Sequence, residues 1–474
     1  MDDDTDQTPD CPGCRKRDEI IERQQERIDK LESLVAELQG RVASLEARLE
    51  KDSTNSSKPP SSDGPKERAE REGKAEGQRD QGAQPGHEGH HRQPADPEEV
   101  DEVHRLKPEE CRACGHGLSG CDPSPTSHQI WDIEILQHII EYRRHTLECP
   151  SCGTWTEAQM PDDVPDGHFG PTISAVATYL TGELHVSRRD AVEALAEVFG
   201  IEMSLGTVSN KEAEATDALE APYQEARGWV TQSERVHLDE TSWMQGSAGA
   251  WLWVITDGDI AAYLVDESRS GDVARELLDG QPTGDVITDR HTGYNWIATD
   301  CRHLCWAHLY RNFKGWALED GPTGDLGALL VASTRDLFAW LERIRDGTIS
   351  ERRFRQQVAE IRDRISLMLH IGASVADPPD RFEDLLAIEE AMWSFVDAEG
   401  WPVVNNEAER AVRDGVLWRK RSFGTESDRG SRFVERMLTV AETLKGQARS
   451  TMEFLEETWR HIAHNQPMPR LLPS

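Results

Sequence analysis

Arg235-Val-His-Leu-Asp239-Glu-Thr-Ser242 is an apolar run that ends in a carboxylate, and Ala250-Trp-Leu-Trp-Val-Ile-Thr256 and Ile260-Ala-Ala-Tyr-Leu-Val265 follow it. Rich in β-branched and aromatic residues, the three stretches predict consecutive strands of a meander. A helix over 270–279 then precedes Asp285-Val-Ile-Thr-Asp289, a short strand that delivers a second acid at its end. This order lets Asp239 and Asp289 converge at the ends of neighbouring strands, where a divalent cation would offset their repulsion. A single strand-terminal Asp is usually a turn or cap residue; the pair is what points to a metal.

Working outward, a third carboxylate would come from Asn405-Asn-Glu-Ala-Glu409-Arg-Ala-Val-Arg413. At helical spacing Glu409 and Arg413 share a face, and Glu407 is turned about 200° from Glu409. Just beyond, Arg410, Arg413, Arg419, Lys420 and Arg421, with Arg429 and Arg432, form the densest basic cluster in an acidic chain. Scattered arginines can simply balance surface charge. A cluster beside a carboxylate motif reads better as phosphate contacts, so these residues are the candidate nucleic-acid surface.

Upstream, Val186, Ala191, Leu195, Gly200, Leu205 and Val208 have the rhythm of a helix, a turn and a second helix, although no dense basic face accompanies them. Before them stand two matched hooks, Cys111-Arg-Ala-Cys114 and Cys149-Pro-Ser-Cys152. Four thiolates from two such turns can surround a structural Zn²⁺ at about 2.3 Å. Cys121 is an alternate ligand, and Ile130, Ile133, Ile135 and Ile139 to Tyr142 read as strand or hairpin material between the hooks. Cys11-Pro-Gly-Cys14 is a weaker signal. Ile21, Ile28, Val35, Val42 and Leu49 fall at heptad position a, and Gln24, Leu31, Leu38 and Leu45 at d. β-branched residues at a with leucine at d predict a parallel two-stranded coiled coil, hence a homodimer. The linker that follows is Ser-, Pro-, Gly- and Glu-rich, and nothing there fixes His87, His90 and His91 as ligands.

The 474 residues carry 53 Lys and Arg against 88 Asp and Glu, a formal net charge of -35. That balance opposes a nucleic-acid partner at face value. The acid is spread along the chain and arginine outnumbers lysine, the pattern of a salt-rich, halophilic cytoplasm where charge is screened, so basic residues must be read locally. No signal peptide and no long apolar run stands out, which predicts a cytoplasmic chain with no membrane partner and with reduced cysteines.

In order, the zipper, Asn55-Ser-Ser-Lys-Pro-Pro60, Gln84-Pro-Gly-His87-Glu-Gly-His90, the CxxC pairs, His237-Leu-Asp239-Glu-Thr-Ser-Trp243, Cys305-Trp-Ala-His308, and Asn405-Asn406 followed by Glu409-Arg410 resemble the DDE transposases of the insertion-sequence sixty-six family over almost the whole chain. The resemblance implies a ribonuclease-H-like core with Asp239, Asp289 and Glu409 as catalytic carboxylates. The family's acid directly precedes the arginine, which picks Glu409 over Glu407. Two departures stand out: Val404 occupies a position where the family often has Asp, and Asp289 is followed by Arg-His-Thr-Gly-Tyr294 in place of a direct Gly-Tyr. Neither removes a ligand. His308 and Arg311 fall in a family phrase without an assigned role, and Cys301 and Cys305 alone lack the ligands for a second zinc site.

The expected fold class is therefore multidomain. It comprises a coiled coil over 15–50, a disordered linker over 51–100, a zinc-binding module over 101–160 and a helix-turn-helix-like region over 165–228. An α/β ribonuclease-H-like catalytic core follows, with its first part over 230–320, a helical insertion over 321–398, and completion with C-terminal helices over 399–465; the Pro-rich end beyond 466 is expected to fray. The implied function is DNA cleavage at element ends and strand transfer, using two Mg²⁺ (or Mn²⁺) at the carboxylates and structural Zn²⁺. The partners are double-stranded DNA carrying the terminal repeats, target DNA and accessory proteins from the same element. The alternatives are a non-catalytic zinc-containing DNA-binding dimer and a ribonuclease-H-like nuclease without strand transfer.

Overall fold

The computed structural model describes residues 94–161, 164, 167–282, 284–398 and 400–473. The zipper, the linker up to 93, Cys11, Cys14, His87, His90 and His91 lie outside the described residues. The chain divides into two compact units, Arg68–Gln159 and a larger one that holds Met160–Ser474.

In the smaller unit, β1 (Thr146–Glu148) pairs antiparallel with β2 (Trp155–Glu157), and the second cysteine hook is the turn between them. The strand expected over Ile130–Tyr142 does not form: that stretch is irregular, with Ile130, Ile133 and Ile139 exposed by 84%, 84% and 83%. β propensity alone does not make a strand, since without a hydrogen-bonded neighbour the segment has no ladder to join.

The larger unit opens with α1 (Pro171–Gly182), α2 (Arg188–Phe199), α3 (Leu205–Ala218) and α4 (Glu220–Val230). Ser187 and Ser204 accept hydrogen bonds from Asp190 N–H and Thr207 N–H, so each caps the N-terminus of its helix. Gly200 ends α2 in the left-handed region at φ 64°, which a residue without Cβ enters freely. Ala177, Leu195, Met203 and Val208 close a small core of their own among these helices.

The sheet has five strands in the order β5-β4-β3-β6-β7. They are β3 (Arg235–Gln245), β4 (Ala248–Thr256), β5 (Ala261–Asp266), β6 (Asp285–Thr288) and β7 (Arg302–Leu304). β3, β4 and β5 form the expected antiparallel meander, while β6 lies parallel to β3 and β7 parallel to β6. α5 (Gly271–Leu277) makes the crossover from β5 to β6, and α6 (Trp306–Trp316) leaves β7. Next come α7 (Pro322–Arg345), α8 (Glu351–Val375), α9 (Asp380–Ala387) and α10 (Glu389–Trp393), which with α6 enclose a second core that includes Phe313, Phe354, Phe382 and Trp393. α11 (Asn406–Ser422), α12 (Asp428–Gly446) and α13 (Thr451–Ala463) complete the unit, and the first core gathers strand residues such as Leu238 and Val254 with Val416, Leu438 and Phe454 from these helices.

α11 crosses β3 and β4, and Gly415 permits the approach: a Cβ there would stand 2.2 Å from Leu252 Cδ2. Leu252 is fully buried, so Gly415→Ala should force overpacking that costs about 1–3 kcal/mol, more than the few tenths to 1 kcal/mol gained from helix propensity. Urea unfolding checks it; a more stable variant would mean that α11 does not sit this close to the sheet.

The end beyond 466 does not fray. Leu471 and Leu472 are buried, Glu225 accepts from their backbone N–H groups at 2.8 and 3.4 Å and from Arg470 at 2.9 Å, and Arg449 donates to the Leu471 carbonyl. Two leucines with a core to enter outweigh the disorder suggested by the flanking prolines.

Candidate active site

Asp239 lies on β3, Asp289 directly follows β6, and Glu409 is in the first turn of α11. The parallel pairing of β3 and β6 sets the first two side by side, as the sequence suggested. Burial pushes the Asp239 carboxyl well above the usual carboxylate range, and the charges of Glu240, Asp289 and Glu409 add to the rise. Among the described residues neither Asp239 nor Asp289 forms an ion pair; the contacts they accept are backbone N–H groups, from Glu240 at 3.0 Å and His291 at 2.8 Å. The charges of Asp289 and Glu409 thus both reach the Asp239 carboxyl, although the oxygens of the three acids do not all lie within 4.8 Å.

Two buried polar side chains fix these elements, and the sequence reading anticipated neither role. Asn405 sits at the N-cap of α11, yet its side chain caps nothing. It donates to the Leu238 carbonyl at 2.7 Å and meets His237 Nδ1 at 3.0 Å, tying the start of α11 to the strand that carries Asp239. Arg302, fully buried on β7, donates to Thr288 Oγ1 at 3.0 Å, Asn295 Oδ1 at 2.9 Å and the Asp289 carbonyl at 2.9 Å. The residue just before Asp289, its own backbone and the loop beyond it are thus held from one guanidinium.

Glu240 was also missed. It is buried beside Asp239, where Arg269 pairs with it at 2.5 Å and the Tyr294 hydroxyl donates to it. Its partner Arg269 lines a cleft of about 300 Å³, together with Asp289, Arg290, His291, Thr292, Asn295, Asp384, Leu385 and Ile388. The extra residues between Asp289 and Tyr294 thus contribute Arg290, His291 and Thr292 to this wall.

On the other side of Glu409 stand Arg311, 3.2 Å from Oε1, and His308, whose Nδ1 is 3.5 Å from the same oxygen. His308 is 8% exposed, and its Nδ1 has no hydrogen-bond partner. Burial and the Arg311 charge hold its imidazole below the ordinary histidine value, so it is neutral at neutral pH. Cys305, buried at the N-cap of α6, accepts from the Asn405 backbone N–H at 3.3 Å, and burial pushes its thiol up to about 12. Among the described residues Cys305, His308 and Glu409 are the one group of His, Cys, Asp or Glu whose ligand atoms all lie within 4.8 Å. Cys301 and Cys305 alone offer too few ligands; the fold sets His308 of α6 and Glu409 of α11 beside Cys305 instead.

The basic candidates separate. Arg419 donates to Thr241 at 3.2 Å and to Ser242, and Arg421 donates to the Leu184 carbonyl, so both bind the protein itself. Arg410 pairs with Glu407 one turn back. Arg413 and Lys420 are exposed. The helix dipole supplies a local reason for this distribution, with Glu407 and Glu409 in the first turn of α11 and Arg419, Lys420 and Arg421 in its last.

In the smaller unit the two cysteine hooks fold alike. Cys111 N–H donates to His116 and Cys149 N–H to Thr154, while Gly115 and Gly153, at φ 70° and 75°, donate back to Cys111 and Cys149. Each turn pairs its own two cysteines, but the four sulfurs do not gather into one group within 4.8 Å. Cys121 is exposed and accepts from Lys107 at 3.4 Å.

The crowding at Asp239 makes a stability prediction. Its folded value is raised, so its contribution is fully present below the unfolded value of about 3.9 and is lost as pH rises through the folded one. At neutral pH, Asp239→Asn should therefore stabilise the metal-free protein, by about 1–2 kcal/mol. The gain should shrink when pH falls toward 4. Thermal unfolding with chelator tests it; an unchanged or less stable variant at pH 7 would mean that burial and the neighbouring carboxylates do not disfavour the Asp239 charge.

The family model described as "Transposase IS66 family" matches residues 166–432. That span contains all three carboxylates. A second model, a family of unknown function, matches residues 9–93. The chain is also 24% identical over 404 residues to "Uncharacterized protein y4hP" of Sinorhizobium fredii, covering 77% of this chain and 72% of that protein.

Proposed function

The chain belongs to the IS66 transposase family, and from that premise we propose that it is a metal-dependent DNA transposase that cuts at the ends of its element and joins the freed 3′ ends to target DNA. The observation that carries the proposal is the placement of Asp239 on β3, Asp289 just after the parallel-paired β6 and Glu409 in the first turn of α11, all inside the matched span, with the charges of Asp289 and Glu409 both reaching the buried Asp239 carboxyl. The strand order, an antiparallel meander flanked by two parallel strands, supports a ribonuclease-H-like core.

Asp239 and Asp289 lack cationic partners among the described residues, and the charge of Asp289 raises the Asp239 carboxyl, a donor set that fits hard divalent cations with oxygen ligands. Bound Mg²⁺ or Mn²⁺ would supply the charge that lowers the pKa of an attacking water or 3′-hydroxyl and stabilises the leaving oxygen. Asp239 would serve both ions, with Asp289 and Glu409 each serving one. Arg311 holds Glu409 in place, and Arg269, Arg290 and His291 line the cleft beside Asp289, where they can bind a DNA phosphate.

Zn²⁺ on Cys111, Cys114, Cys149 and Cys152 is proposed as a structural ion, supported by two glycine-closed turns of matching hydrogen bonding. The zipper dimer, accessory element-encoded proteins and a cytoplasmic setting belong to the same proposal. Among the described residues no helix is long and apolar enough to cross a membrane.

The test is cleavage and joining of labelled DNA carrying the element's own ends, at high KCl with Mg²⁺. Joined products are expected. Cleavage without joining would favour the nuclease reading, and binding without either, with accessory proteins supplied, would favour the non-catalytic DNA-binding one.

A further inference from the structure

Two side chains at the base of α6, a thiol and an imidazole, do not suit the Mg²⁺ chemistry, and they lie against one of its proposed carboxylates. Cys305 and His308 stand at the N-cap and third position of α6, three residues apart, so they project to the same side. Glu409 faces them from the first turn of α11. One sulfur, one imidazole nitrogen and one carboxylate oxygen, all within 4.8 Å of one another, make a borderline-soft donor set.

The His308 nitrogen is the second observation. It is in a residue 8% exposed, has no hydrogen-bond partner and points to Glu409 Oε1. Its 3.5 Å separation from that oxygen is too long for a good hydrogen bond. It matches the edge of a tetrahedron around an ion with bonds of about 2.0–2.3 Å, whose corners lie about 3.3–3.8 Å apart. The Asn405 backbone N–H, 3.3 Å from Cys305 Sγ, adds the kind of donor that supports a sulfur ligand from outside the coordination shell.

We propose that Cys305 Sγ, His308 Nδ1 and Glu409 Oε1 form a zinc site with one position open, distinct from the CxxC module. On binding, the Cys305 proton leaves to solvent and the thiolate, neutral imidazole and carboxylate hold the ion. Mg²⁺ does not compete well for sulfur and nitrogen, so the site selects a borderline metal over the hard ions of the carboxylate triad. Arg311 must release Oε1 or share it, which keeps this three-ligand site weaker than a closed tetrathiolate. Where Glu409 also serves the catalytic ions, which rests on the function proposed above, zinc here withdraws it and inhibits.

The experiment measures zinc bound per chain after equilibrium dialysis of the full-length protein, against Cys305→Ala and His308→Ala, each checked for folding by circular dichroism. Both variants should lose one equivalent, and in the parent protein a Co²⁺ titration should show a thiolate-to-cobalt absorption increment missing from Cys305→Ala. Equal zinc content in the parent and both folded variants would overturn the site. Should Cys305→Ala misfold, His308→Ala alone carries the count. In the Mg²⁺ cleavage assay, Cys305→Ala should need at least about tenfold more Zn²⁺ for half-inhibition, a loss on the order of 1.4 kcal/mol. A protein that never cuts DNA would defeat the transposase reading and leave the zinc count standing.

Discussion

Glu409→Gln is expected to reduce both cleavage and joining by roughly a thousandfold or more, the several kcal/mol that charge stabilisation by a metal supplies. The substitution keeps the size of the side chain and an oxygen to accept from Arg311, which donates to Glu409 Oε1 at 3.2 Å. Packing is therefore little changed. The negative charge is lost, and with it the third carboxylate around Asp239, whose own carboxyl is raised in part by Glu409. Binding to DNA ends should stay within a few-fold, since the substitution removes an anion and no cation. Glu407→Gln is the internal control. Glu407 pairs with Arg410 on its own helix, and its carboxylate lies near Gly258 at the far end of β4, so its loss should leave cutting within about twofold, as for an ordinary surface ion pair. If Glu409→Gln still cuts within tenfold of the parent, Glu409 is not a catalytic ligand. Loss in Glu407→Gln alone would transfer the role to the other acid.

What the sequence made legible follows from the range of each interaction. The meander from Arg235 to Val265 and the short strand at Asp285 were readable because runs of β-branched and aromatic residues ending at acids are local signals. The helix and turn at 188–218 were readable for a similar reason, with Gly200 supplying the stop and Ser204 the restart. By contrast, Ile130–Tyr142 has strand composition without a pairing partner, and the C-terminal Pro-rich end looked mobile because nothing nearby announces Glu225 as its anchor. The cluster Arg419, Lys420 and Arg421 was read as one surface, yet the fold turns Arg419 onto Ser242 and Arg421 onto Leu184. Local charge density cannot tell a solvent-facing guanidinium from one that closes a loop.

The site shows the same limit more sharply. Asp239 and Asp289 could be paired by strand order alone, whereas the choice of Glu409 came from a family phrase. Asn405 belonged to that phrase too, but its contact with His237 spans 168 residues of sequence, and Cys305 meets the Asn405 N–H across 100. No periodicity encodes such contacts. The signal the sequence does hold is chemical, since Cys305 and His308 stand three residues apart at the start of a helix; that Asn405 must find partners follows only from its full burial, which the fold reveals.

Arg302→Met should lower the unfolding free energy by about 3 kcal/mol, a large effect for a side chain that touches none of the three carboxylates. Two effects oppose each other. Burial pushes the Arg302 guanidinium down to about 10, a desolvation cost on the order of 3 kcal/mol that methionine would not incur. Against it stand charge-assisted bonds to Thr288, Asn295 and the Asp289 carbonyl, at about 1.5–3 kcal/mol each, and acceptors left dry when the donor goes. The second sum is larger, so the sign is destabilising, and a urea midpoint with an unchanged slope is the readout. Arg302→Lys should recover only part of the loss, because a point charge on a flexible stem cannot meet three acceptors that a planar fork reaches together. The consequence for function runs through position. Asp289 follows the strand that Arg302 holds, so a folded Arg302→Lys protein should need about 10–100-fold more Mg²⁺ for half-maximal cleavage, the range seen when support behind a metal ligand is lost. An Arg302→Met protein as stable as the parent would show that this guanidinium is a tolerated cost and not the anchor of the Asp289 loop.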